Sequence, residues 1–162
     1  MQAITSSEPD VRATLRAEME AARSSFRELV GGVSESVWAS RAPGSKWTGK
    51  QLLHQVTWAL EQLPKEIESA KRDRGMFNYP KLIADNGSYW MVRWEARKET
   101  RETILARYDA AMDRAIASLE TVGGAEWKRG ARFYGEGFYT VADLFRTPTE
   151  HLAEHSGPLL AR

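Results

Sequence analysis

The chain has 162 residues, enough to bury a sizeable core within one domain spanning 1–162. Its 23 basic and 22 acidic residues leave a formal net charge of +1, a balance that gives no electrostatic reason to expect a nucleic-acid partner. Cysteine is absent, so disulfides, thiolate metal sites and cysteine nucleophiles are excluded, and any metal must rest on nitrogen and oxygen donors.

The opening stretch MQAITSSEPDVRATLRAEME lacks the basic-then-apolar layout of a signal peptide, and no apolar run reaches the length of a membrane span. A soluble, cytoplasmic protein with no membrane partner is expected. The first helix is predicted over Pro9–Val30, where Val11, Leu15, Met19, Ala22, Phe26 and Leu29 recur at helical spacing. Ser7 supplies its start and Gly31-Gly32 its stop. A turn around SESVWAS and a loop RAPGSKW follow.

The second helix opens at Thr48, which has the spacing of a capping box with Gln51. Leu52, Leu53, Val56, Ala59, Leu60, Leu63 and Ile67 form its apolar stripe, and Pro64 is expected to kink or restart it. RDRGMFNYPKLIADN reads as a crossover with at most a short helical piece. A third helical run follows from Ser88 to Glu120, clearest at Ile104, Tyr108, Met112, Ala115 and Leu119, and Gly123-Gly124 ends it. RFYGEGFYT reads as an aromatic loop. Thr140 then caps a last helix, which Thr147-Pro148 and Glu150 reset with a fresh capping box and Ser156-Gly157-Pro158 closes. No stretch alternates long enough for a sheet. The expected fold is all-α: an antiparallel four-helix bundle with one longer crossover and short extra helices.

Three histidines carry the chemistry. His151 and His155 are four apart on the last helix, so both rings project from one face and can share a metal ion. On a helical wheel they lie at the edge of the cluster Val141, Phe145, Pro148, Leu152 and Leu159, where a groove between helices would hold them. HLAEH also spells the inverted zinc-peptidase pattern. That reading fails because Glu154 points away from the apolar cluster and no acidic residue occurs after His155 to complete the ligand set. His54, on the second helix, lies roughly 160° from the centre of its apolar stripe, while Gln55 lies nearer the edge. A glutamine oxygen can bind a metal, as a weaker donor than imidazole.

The stretches WTGKQLLHQV and YTVADLFRTPTEHLAEH resemble the DinB-like (YfiT-like) superfamily of metal-binding four-helix bundles. The resemblance implies a divalent metal ion, zinc, nickel or iron, on His151, His155 and a third ligand from the second helix. The family's ligand follows its tryptophan by eight positions, which here is Gln55, whereas His54 falls one position early. Both are carried as alternatives. Relatives include mycothiol- and bacillithiol-dependent S-transferases and mycothiol-dependent maleylpyruvate isomerase. A metal-dependent enzyme using a low-molecular-weight thiol on a small-molecule substrate is thereby implied, as is a homodimer. The different reading is a non-catalytic dimeric bundle for ligand binding or interaction, its metal site lost. Of the many aromatics, Trp58, Tyr134 and Tyr139 are the candidate pocket members; the others are expected to pack in the core or a dimer interface.

Overall fold

The computed structural model describes residues 8–135 and 137–160. Chain order runs α1 (Glu8–Gly32), α2 (Glu35–Ala39), α3 (Gly49–Ala70), α4 (Lys81–Glu95), α5 (Arg101–Glu120), the strands β1 (Gly130–Phe133) and β2 (Gly137–Thr140), α6 (Val141–Leu144) and α7 (Thr147–Leu160). Helices α1, α3, α5 and α7 pack in a ring of neighbours, α1 on α5, α5 on α3, α3 on α7 and α7 on α1. This is a four-helix bundle.

Side-chain pairs give the directions. Arg16 meets Glu120, Arg23 meets Asp113 and Arg27 meets Asp109, so α1 and α5 are antiparallel. Arg107 reaches Glu61 and Lys71 reaches Thr121, so α3 and α5 run the same way. The long crossover makes that possible, because it carries the chain back along the bundle before α5 begins. One continuous core results, built on Leu15, Met19 and Phe26 of α1, Leu53 and Ile67 of α3, Met112 of α5 and Leu152 of α7. Each such side chain contributes about 1.5–3 kcal/mol when fully buried.

Several local expectations hold. Thr48 and Gln51 form both halves of their capping box, and Thr140 forms one with Asp143. Others are corrected. α1 continues through Gly31 and Gly32, and SESVWAS contains the short helix α2, capped by Ser34. α3 runs unbroken through Pro64, and α7 runs through Gly157 and Pro158 to Leu160. Thr147 lies inside α7, its hydroxyl donating to the Leu144 carbonyl at 2.7 Å rather than capping. Ser7, expected to start the first helix, lies outside the described residues.

The crossover holds a full helix, α4, and the long third run is two helices. They are separated by a 3-10 turn at Ala96–Lys98 and by extended Glu99 and Thr100. Thr100 and Thr103 cap each other's backbone and so start α5 afresh. The aromatic loop is an antiparallel hairpin, with Gly130 opposite Thr140 and Phe133 opposite Gly137. No helix among the described residues is long and apolar enough to cross a membrane.

Candidate functional site

His151 and His155 stand one turn apart on α7, with buried Pro148, Leu152 and Leu159 beside them. Their rings are 4.7 Å apart between centroids, with planes at 64°. Burial pushes the His151 imidazole down to about 4, with His155 adding to the effect, and burial lowers His155 as well. Both rings are therefore neutral near neutral pH, the state in which a ring nitrogen offers its lone pair to a metal. Among the described residues neither ring has a hydrogen-bonding partner, whereas a purely structural histidine usually has one.

Gln55 is half-buried on α3, the helix that packs on α7. Its Oε1 is buried and, among the described residues, accepts no hydrogen bond. An orphaned buried carbonyl costs stability unless something else answers it. That makes Gln55 the α3 donor whose chemistry fits a cation.

His54 is engaged elsewhere. The wheel places it away from the apolar stripe, yet it is only 2% exposed, because the end of α4, the turn after it and the start of α5 cover that flank of α3. Its Nδ1 lies 3.1 Å from both Glu99 Oε1 and Arg107 Nη1, and its Nε2 lies 3.2 Å from Glu95 Oε2. Arginine can only donate, so in the neutral ring Nδ1 accepts from Arg107 and Nε2–H donates to Glu95. Arg107 is held in turn by Glu61, at 3.0 Å through Nε and 2.7 Å through Nη2. Burial pushes the Glu99 carboxyl up, but the Thr103 hydroxyl, Arg107 and His54 together outweigh it and hold it below the usual carboxylate range. Among the described residues no three His, Cys, Asp or Glu side chains gather as a metal cluster. The histidine pair and His54 belong to separate constellations.

Of the candidate pocket aromatics, Trp58 meets Phe77 edge-on at 5.9 Å, and Phe77 stacks on Tyr134 at 5.3 Å. Phe77 and Tyr134 both adopt positive φ, 58° and 57°, an uncommon state for aromatic residues that their mutual stacking accompanies. Tyr139 is half-buried against the core. The row ends where the Tyr134 hydroxyl donates to Glu66, a carboxylate only 3% exposed. Burial raises Glu66 to about 7, against the opposing pull of that hydrogen bond. Sequence reasoning missed Glu66; its position between Leu63 and Ile67, both in the apolar stripe, was the available signal.

A family model for the DinB superfamily matches residues 18–158. Comparisons with curated proteins and with solved structures find no match.

Proposed function

The chain belongs to the DinB superfamily, and from that premise we propose that it is a metal-dependent enzyme acting on a small molecule. A divalent cation, zinc, nickel or iron, would be held by His151 and His155 with Gln55 Oε1 as third donor. The observation that carries the reading is the pair of neutral, unpartnered imidazoles one helical turn apart. The orphaned Gln55 oxygen supports it independently. Two imidazoles and an amide add no charge, so a bound divalent ion keeps its full +2, and open positions on it would acidify a coordinated water or thiol.

The chain has no cysteine, so the sulfur of any thiol chemistry must come from a low-molecular-weight thiol as co-substrate. What the residues themselves do is narrower. The rings of His151 and His155 present nitrogen donors without first losing a proton, and Gln55 presents an acceptor that nothing else occupies. A homodimer belongs to the same reading, supported by the exposed rings of Trp90 and Phe138.

The second reading is a non-catalytic bundle that binds a ligand or pairs with itself. One observation favours it: His54 is committed to Glu95, Glu99 and Arg107, which leaves two imidazoles where the family pattern has three. Metal analysis of untagged protein equilibrated with zinc or nickel separates the two. The enzyme reading expects one ion per chain, lost in His151→Ala, weakened in Gln55→Ala and tightened in Gln55→His. Protein that stays metal-free, folded and dimeric would establish the second reading instead.

A further inference from the structure

A groove of roughly 600 Å³ opens between α3 and the corner where α4 turns into α5, and neither His151 nor His155 lines it. Its floor is the His54 network and its walls include the indoles of Trp58 and Trp94. The charges of that network do not cancel. Glu61, Glu95 and Glu99 face one guanidinium, Arg107, and one imidazole, so the network is net negative even with His54 protonated.

The three carboxylates are not equivalent. Glu61 and Glu99 are both bonded to Arg107. Glu95 meets only the Nε2 of His54 among the described residues, and its side chain is 38% exposed. A carboxylate accepts several hydrogen bonds, so most of its accepting capacity still faces the groove. Beside it in sequence, Trp94 is 71% exposed, an unusual degree for the largest apolar side chain. An indole face beside an under-used carboxylate is the chemistry that recognises a cation, by ring quadrupole and charge together. Arg97 and Lys98 also line this groove and are exposed like Glu95, but among the described residues neither forms an ion pair with Glu95, whose remaining accepting capacity stays open beside the indoles.

We propose that this groove is a binding site for a small organic cation, an amine or guanidinium compound, with Glu95 as its charged partner and Trp94 and Trp58 as its walls. The site is independent of metal binding on α7.

A matched set of probes tests it: phenethylamine, the neutral 2-phenylethanol and the anionic 3-phenylpropionate share a ring and differ in charge. Each is titrated into the full chain while the indole N–H signals are followed by NMR. Phenethylamine should shift the Trp58 and Trp94 signals saturably, and the other two probes should bind at least about fivefold more weakly. Glu95→Gln should weaken the amine about fivefold or more, Trp94→Ala should also weaken it, and His151→Ala should leave it unchanged. Both groove substitutions fall on solvent-exposed side chains, so thermal melting should show them folded. No saturable shift with phenethylamine, preference for the anion, or an unaltered affinity in folded Glu95→Gln would overturn the proposal.

Discussion

Glu66 shows how one side chain can tie the bundle's stability to pH. It is buried on α3 and among the described residues only the Tyr134 hydroxyl answers it, so ionising it inside the fold is costly. Burial raises its carboxyl from 4.5 to about 7. The folded state therefore holds a proton that the unfolded chain releases, and stability falls as pH rises between those two values. The loss should approach about 3 kcal/mol above pH 7. Urea unfolding at pH 5 and pH 8 measures it. Glu66→Gln keeps an acceptor for Tyr134 and cannot ionise, while His151 and His155, lowered by burial, add stability to both proteins as pH rises. The Glu66 contribution is therefore the difference: Glu66→Gln should gain about 2–3 kcal/mol more than the wild type between pH 5 and pH 8, whereas equal changes in both proteins would refute the assignment. The same burial that makes Glu66 interesting hid it from a sequence reading, in which an isolated glutamate near an apolar stripe looks like a boundary residue. His151 and His155 were legible because helical spacing alone puts them together. His54 was not, since its partners Glu95, Glu99 and Arg107 lie more than forty positions away, on elements whose packing no wheel of α3 can show.

At the scale of elements, the hairpin holds Tyr134 where it reaches Glu66, and Gly130 is where the hairpin is most tightly constrained. A Cβ at Gly130 would run into the Tyr139 carbonyl and lie 2.8 Å from the Thr140 Cα, both backbone atoms of the opposing strand that cannot swing away. Gly130→Ala should force the strands apart and cost about 1–3 kcal/mol, read as a lower melting temperature. The pH dependence carried by Glu66 should grow with it, because Tyr134 loses its anchorage and with it the hydrogen bond that opposes the rise of the buried carboxyl. An unchanged melting temperature would mean that the strands separate freely. These strands escaped sequence reading because four residues allow only two alternations, and GFYT buries none of its residues fully. Helix α4 escaped as a separate element, its second half being read as the start of the long third run, for a related reason. Its apolar residues point both ways, with Val92 buried and Ile83, Trp90 and Trp94 exposed, so no single stripe announces it. The bundle helices were legible because each has a continuous apolar stripe, and the capping box at Thr48 marks the start of α3 from neighbours in sequence alone, while the box expected at Thr147 did not form because the chain is already helical there.

At the scale of the whole molecule, the seam between α1 and α5 shows which forces hold the bundle. On its surface runs a ladder of ion pairs, Arg16–Glu120, Arg23–Asp113 and Arg27–Asp109. At least one side chain of each pair is well exposed, and such pairs contribute at most about 1 kcal/mol each. They register the helices more than they bind them. Beneath the ladder Phe26 and Tyr108 stack at 3.7 Å between centroids with planes 6° apart, both essentially inaccessible to water. Among the described residues the Tyr108 hydroxyl is buried there without a hydrogen-bond partner, and burial pushes its acidity well below that of an ordinary tyrosine. The ring therefore stabilises the seam while its oxygen opposes it. Two substitutions pull these contributions apart. Tyr108→Phe removes only the unsatisfied oxygen and should leave stability unchanged or raise it by about 1 kcal/mol. Tyr108→Ala removes the ring and should cost about 3–5 kcal/mol. Denaturant unfolding of both variants checks the contrast. If Tyr108→Phe instead destabilises the protein by more than about 1 kcal/mol, the hydroxyl has a partner in solution, and the seam is held partly by polar contacts rather than by the packing of its rings.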